Sequence, residues 1–317
     1  MAVAETTIQD ISKKTAVFRN ILVAIDFSEA SQRALSVALA LSEARDAHLS
    51  VVHVVRSDWR YEMLESPPEL DLERSDEQQR LNAFINELCP DKRIDATLIK
   101  SGHVAQALVS ASSRSAADLL IIGTRGRGGL SKLALGSVAE ELLRIAPCPV
   151  LTVGPEAEIA KARAGIHTIL FATDFGIGST KAVPLAVALA KAEHAKLILL
   201  HMLAPIPAPS TSLSAYAPST SAADEVQEWE QSSRRRGIRE LKACLPADMA
   251  LEQEPEYIVG TDFLPEGILM AGEKDNVDLI IMGANHTGSP RVAAHIPWTA
   301  VHEVVRQARC PVLTVAG

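Results

Sequence analysis

Aromatic residues are scarce in this chain, 4% of 317 residues, although 47% are hydrophobic. A core of that composition is built from Ala, Val, Leu and Ile, which suits helices packed on buried parallel strands and disfavours an aromatic-rich sandwich. Cysteine is almost missing too. Cys89, Cys148, Cys244 and Cys310 stand far apart and form no CxxC pair, so neither a zinc ribbon nor a redox pair is indicated. Positive charge is in deficit, with 31 Lys and Arg against 39 Asp and Glu and a net charge of −8. Such a surface repels a polyphosphate backbone and argues against nucleic-acid binding. No apolar run approaches the roughly 18 residues that would suggest a membrane span. The opening MAVAETTIQDISKKTAVFRN is mixed polar rather than charged and then apolar. The expectation is a cytoplasmic protein that touches neither membrane nor nucleic acid.

What the chain does contain is itself, twice. At 317 residues it exceeds the size at which single cores stop growing, so two domains are expected. NILVAIDFS at 20–28 is echoed by TILFATDFG at 168–176, HLSVVHVV at 48–55 by KLILLHML at 196–203, and ADLLIIGTRG at 117–126 by VDLIIMGANH at 277–286. APCPVLTVG at 146–154 returns as ARCPVLTVAG at 308–317. The preserved order indicates duplication. We place one domain over 1–155 and a second over 156–317, joined by a short link through Pro155–Ala164 that predicts a packed pair.

Within each half, β-branched or Leu-rich runs of five to seven residues alternate with longer amphipathic stretches, the pattern of βα units on a parallel sheet. Strands are expected near 20–25, 49–55, 94–99, 118–122 and 149–153, and helices over 28–45, 75–89, 103–115 and 133–146, with Ser28 as an N-cap. The fold class is therefore α/β: two tandem open twisted parallel five-stranded sheets with helices on both faces. The stretch 204–223 is rich in Pro, Ser, Thr and Ala and reads as a loop over a cleft or sheet edge.

Ligands of open parallel sheets bind beyond the carboxyl ends of the strands. There the chain reads Gly123-Thr124-Arg125-Gly126, nine residues, then Gly136-Ser137 at the opening of a helix. Glycines permit close backbone approach to a phosphate, Ser137 adds a hydroxyl donor at a helix start, and Arg125, Arg127 and Lys132 add cations. By itself the cluster fits a simple turn equally well. Asp26 at the end of the first strand has two readings also, as a ligand contact or as a stabiliser of the following helix start. His53 and His201 recur at the second strand of each half and read as hydrogen-bonded structural groups.

The glycine spacing, the strand ending in Asp26, the strand carrying His53 and Val54, and the closing CPVLTV together resemble the universal stress protein family over nearly the whole chain, with the glycine signature of its ATP-binding form. That resemblance implies an adenine nucleotide α-hydrolase-like fold. It also implies ATP as the ligand, with or without Mg²⁺. It places Ala24 and Val54 against adenine, Asp26 at the ribose or a metal-bound phosphate, and Ile122 beside the nucleotide. The phosphates would rest on Gly123, Gly126, Gly136, Ser137 and Val138, with Arg125 nearby. The family's habit of pairing through its last strand implies that PVLTVG and PVLTVA pair inside one chain as a pseudo-dimer, while association of two such chains stays open.

The second half departs from this pattern. His286 replaces the second glycine, and Trp298 and Thr299 stand where Gly136 and Ser137 do, so a filled phosphate pocket is expected despite Asp174. His286, His295 and His302 lack carboxylates at ligand spacing apart from Glu303, and no metal is assigned. RRRGIR at 234–239 reads as the solvated face of a helix that also carries Glu228, Glu230 and Glu240. The functional expectation is an ATP-binding regulatory module, not an enzyme. Slow hydrolysis or nucleotidyl transfer is the rival reading, and a nucleotide-free scaffold a third. No Walker A, Rossmann GxGxxG or dedicated general base supports a catalytic class.

Overall fold

The computed structural model describes residues 17–56, 68–90, 92, 94–124, 135–203, 220–245, 251–284 and 298–317. The first half runs β1 (Asn20–Ile25), α1 (Glu29–Arg45), β2 (His48–Arg56), α2 (Pro68–Leu88), β3 (Asp95–Ser101), α3 (Val104–Arg114), β4 (Leu119–Gly123), α4 (Ser137–Ile145), β5 (Val150–Val153). A connecting helix α5 (Ile159–Ala164) leads to the second half: β6 (Thr168–Ala172), α6 (Ile177–Ala192), β7 (Lys196–Met202), α7 (Thr220–Ala243), β8 (Glu256–Gly260), α8 (Glu266–Lys274), β9 (Leu279–Ala284), α9 (Trp298–Gln307), β10 (Val312–Ala316).

Each half is a parallel five-stranded sheet, as its sequence predicts, but the two sheets are continuous. The strand order is β3-β2-β1-β4-β5-β10-β9-β6-β7-β8. Among the described residues only β5 and β10 pair antiparallel, with Val312 opposite Thr152, Leu313 opposite Leu151 and Thr314 opposite Val150. The threonines of the duplicated CPVLTV segments staple this seam. Thr152 Oγ1 donates to the Val312 carbonyl at 3.0 Å and Thr314 Oγ1 to the Val150 carbonyl at 3.2 Å, both side chains fully enclosed. Each such bond contributes about 1 kcal/mol net, and more is lost if one partner is left buried alone.

Alternation along the strands divides the core into two layers. Ile21, Val23 and Ile25 of β1 and Val51 of β2 face the layer that holds Leu35, Val37 and Ala38 of α1 and Leu81 and Ile85 of α2. Leu22, Val52, Val54 and Ile122 face the opposite layer, with Leu108 of α3 and Leu142 of α4. Asp118 ties the start of β4 to the start of β1, its carboxylate accepting from the amides of Arg19 (2.8 Å) and Asn20 (3.0 Å). Asp278 repeats the device with His167 and Thr168, each at 2.8 Å.

The halves are also locked below the seam. Arg45 at the end of α1 meets Glu193 at 2.5 Å, with side chains only 5% and 16% exposed. Burial pushes the Arg45 guanidinium down and the Glu193 carboxylate pulls it back up. From α5, Lys161 reaches the Asn276 carbonyl at 2.6 Å and Asp278 at 3.1 Å, while Arg33 of α1 donates to the Gly154 and Ala157 carbonyls.

Three boundaries differ from the sequence expectation, the first being α4, which begins at Ser137 rather than 133. Helix α2 begins at Pro68 rather than 75, because proline is well accommodated at a first helical position. Helix α7 begins at Thr220, so 220–223 are helical where a loop was expected, in keeping with the helix-forming Ala222 and Ala223. Residues 204–219 lie outside the described residues. Arg234, Arg235, Arg236 and Arg239 are exposed on α7. No helix among the described residues is long and apolar enough to cross a membrane.

Candidate functional site

In the first half the chain direction across the sheet reverses at β1, which lies between β2 and β4. The chain therefore leaves β1 for the α1 face and β4 for the α4 face, the topology at which open α/β sheets form a crevice. The residues expected at a ligand fall around it. Ala24 is half-buried and Val54 and Ile122 are buried, all on the α3–α4 face. Gly136 is the N-cap of α4 and makes no side-chain cap bond, so Ser137 and Val138 open that helix with amides that no cap side chain satisfies. Ser137 is exposed and Val138 half-buried. Arg125 and Gly126, like Arg127 and Lys132, lie outside the described residues.

Asp26 takes the helix-start role that was one of its two readings. Its Oδ1 accepts from the Ser28 amide at 3.0 Å and the Ser28 hydroxyl at 2.5 Å, and Ser28 Oγ in turn caps α1 by accepting from the Ser31 amide at 3.2 Å. The carboxylate is thus fixed by the helix start while the residue stays half-buried at the crevice. Between them Phe27 holds φ at +63°, a left-handed conformation uncommon for an aromatic residue, and Phe175 repeats it at +58°.

Gly123 has a reason the sequence did not disclose. By strand alternation its missing side chain points to the α1 face, opposite to Ile122. A Cβ there would lie 2.6 Å from the Ala30 backbone carbon. Glycine at 123 is required by the packing of α1 against β4, whatever it does for a ligand. The residue that sequence reasoning passed over is Thr124. It is 1% exposed, its amide donates to Val153 and its carbonyl accepts from Gly136, yet its hydroxyl finds no hydrogen-bond partner among the described residues. An unsatisfied buried hydroxyl between Gly123 and α4 is what a site for a polar ligand would contain. Its only signal in the sequence is its place inside the glycine pair.

The second half closes the equivalent space. Register equates Ala24, Val54, Ile122 and Gly123 with Ala172, Met202, Met282 and Gly283. Met202 is wedged against two glycines: a Cβ at Gly260 would lie 2.6 Å from its sulfur, and one at Gly267 would lie 2.2 Å from its methyl. What remains is a small cavity lined by Ala172, Asp174, Met202, Leu264 and Ile268 among others. Asp174 is 4% exposed and turned inward, accepting from the Gly176 amide at 2.8 Å and the Ser179 hydroxyl at 2.6 Å. Gly178 replaces Ala30, and a Cβ on Gly283 would fall 2.2 Å from the Gly178 carbonyl carbon, so α6 sits still closer to its strand than α1 does. The side chain of Trp298, and all of His286 and His295, lie outside the described residues. Among the described residues, methionine packing and a tighter helix narrow this space.

Among the described residues the two strand histidines hold backbone carbonyls, and no cysteine offers a ready thiolate. His53 Nδ1 lies 2.6 Å from the Ile25 carbonyl and His201 Nδ1 2.9 Å from the Thr173 carbonyl, the structural role expected of them. Burial pushes the thiols of Cys148 and Cys244 up to about 11 and that of Cys310 to about 12, and raises Cys89 as well, so none is a ready thiolate. Among the described residues no cluster of His, Cys, Asp and Glu could hold a metal ion.

Comparison with known proteins agrees with this duplicated architecture. The model of the universal stress protein family matches twice, over residues 18–154 and 165–316. A universal stress protein of Thermus aquaticus is 37% identical over 140 residues, 43% of this chain and 99% of its own length. Universal stress protein A homolog 1 of Coxiella burnetii is 34% identical over 142 residues, again 43% of this chain and 96% of its own. A solved universal stress protein from Archaeoglobus fulgidus superimposes over 94% of this chain and 98% of its own, with a TM-score of 0.62 at 19% identity. Two matches to one family model, each spanning one half of a single continuous sheet, place the chain in the universal stress protein family as a tandem of two domains.

Proposed function

We propose that the first half binds one adenine nucleotide, ATP with or without Mg²⁺, and that occupancy regulates the protein in a stress response without rapid turnover. The observation that carries this reading is the placement of the Gly123…Gly136-Ser137 spacing at the sheet's reversal point, with α4 presenting its uncapped N-terminus and Asp26 held across the crevice. A helix start with free amides favours an anion. In this reading Ala24, Val54 and Ile122 form the apolar wall for the base, Asp26 meets the ribose or a metal-bound phosphate, and Gly136, Ser137 and Val138 receive the phosphates. Arg125 and Gly126 complete the loop. Thr124 Oγ1, without a hydrogen-bond partner among the described residues, gains one in this reading. We read the chain as a binding module, because its sequence offers no Walker A, Rossmann GxGxxG or dedicated general base to support a catalytic class. The antiparallel seam of β5 and β10 supports treating the tandem as an intramolecular pseudo-dimer with one working and one closed cleft.

Isothermal titration with Mg²⁺ and ATP tests this directly. Saturation at one nucleotide per chain is expected, abolished by Gly126→Val and untouched by Asp174→Asn. Two sites would refute the closure of the second half, and none would leave the scaffold reading. Gly123→Val is unsuitable, since it would disrupt the packing on Ala30.

A further inference from the structure

The two β2-type histidines share a backbone bond and a ring neighbour, but not a wall. His53 stacks on Phe27 with ring centroids 4.5 Å apart, as His201 does on Phe175. Beside His201 the long helix offers Gly237, where an added Cβ would lie 3.6 Å from the ring. Beside His53 it offers a carboxylate. Glu77 of α2 approaches Nε2 of His53 at 3.8 Å, and that Glu77 oxygen is buried with no hydrogen-bond partner among the described residues. The His53 side chain is itself only 6% exposed.

The donor inventory then decides the protonation. A carbonyl only accepts, so Nδ1 facing Ile25 O must carry a hydrogen, which makes Nε2 of a neutral ring an acceptor. A neutral ring would set one acceptor against another, in a place where an unpaired carboxylate oxygen is costly. A proton on Nε2 turns that clash into an ion pair. Among the described residues, the charged groups near the ring include Glu77 and Arg80 from α2, and Asp26 from the turn after β1. Arg80 Nη1 lies 3.7 Å from the other Glu77 oxygen, and its guanidinium covers Phe27 at 4.3 Å from the ring centre. Phe27 is thereby packed among His53, Arg80 and, edge-on at 5.5 Å, Phe84. It is also the left-handed residue that separates Asp26 from Ser28.

We infer that His53 and Glu77 form a proton-dependent brace, present only in the first half, that holds the Asp26–Phe27 turn in its ligand-facing conformation and makes nucleotide affinity fall as pH rises. His53 acts as a positioning residue through Phe27, and this part of the inference rests on the nucleotide reading above. The sign follows from linkage. The fold brings the carboxylate to the ring and so favours the proton; the stabilisation is complete at low pH and is lost as pH climbs through the titration of the folded state.

The test is imidazole ¹⁵N NMR of the full chain from pH 5 to 9, on wild type, Glu77→Gln and Arg80→Gln, alongside Mg²⁺–ATP titrations at the same pH values. Loss of a facing carboxylate is expected to lower the His53 midpoint by about one to three pH units in Glu77→Gln. Arg80→Gln, which removes a competing cation, should raise it. His201 serves as the internal reference for an intact fold and should not move. Wild-type affinity should fall several-fold with rising pH, and Glu77→Gln should flatten that dependence. An unmoved His53 midpoint in Glu77→Gln overturns the brace. A moved midpoint with unchanged pH dependence of affinity overturns its coupling to the ligand. Absence of nucleotide binding at every pH strikes the binding reading instead, and the imidazole titration still decides the brace.

Discussion

The two halves share strand order, register and even their unusual backbone conformations, yet they treat the end of the first strand in opposite ways. In the first, Asp26 is half-buried, Ala30 faces Gly123, and Val54 stands where the second half has Met202. In the second, Asp174 is turned under its own helix, Gly178 lets α6 press onto Gly283, and Met202 fills the apolar wall against Gly260 and Gly267. The lesson is that a cleft can be abolished without touching the scaffold. Exchanging small and large residues between neighbouring positions moves volume from the strand and helix that flank the cleft into the cleft itself, at constant packing density.

The strongest way to break the comparison is to separate the halves. Glu193→Ala strands the buried Arg45 and should cost about 3–5 kcal/mol, read by chemical denaturation as a lowered midpoint or a second transition. Next come the matched glycines. Both Gly123→Ala and Gly283→Ala force a Cβ into backbone and should lose about 1–3 kcal/mol, with Gly283→Ala the worse because its contact at Ser179 N is 2.1 Å against 2.6 Å at Ala30. Equal losses would show that α6 is no tighter than α1. The smallest effect belongs to the caps. Ser28→Ala should cost about 1 kcal/mol in thermal unfolding, while Gly176→Ala at the equivalent second-half position, which has no side-chain cap bond to lose, should cost clearly less.

Much of this was legible in the sequence. The internal repeats located β1, β2, β4 and β5 and their counterparts, since buried parallel strands announce themselves as apolar runs, and Ser28 announced α1 by its side-chain chemistry. Gly136-Ser137 was correctly placed at a helix start. What stayed hidden depends on residues far apart in the chain. The need for glycine at 123 comes from Ala30, some ninety positions earlier, and the packing of Met202 against Gly260 and Gly267 joins residues about sixty positions apart. The inward turn of Asp174 reflects a hydroxyl at Ser179, one turn further along than Ser28 stands from Asp26. Thr124 gave no sign because a threonine after a strand is unremarkable until its hydroxyl is found buried and unpaired.

The seam between β5 and β10 has one more consequence. Because the two copies are joined through one polypeptide, the local concentration of each at the other's edge is set by the short connection through α5 and not by the amount of protein in solution. Dilution cannot part them, and neither copy can trade its mate for another. In the nucleotide reading proposed above, the first half's site is therefore always delivered with the second half in fixed one-to-one stoichiometry.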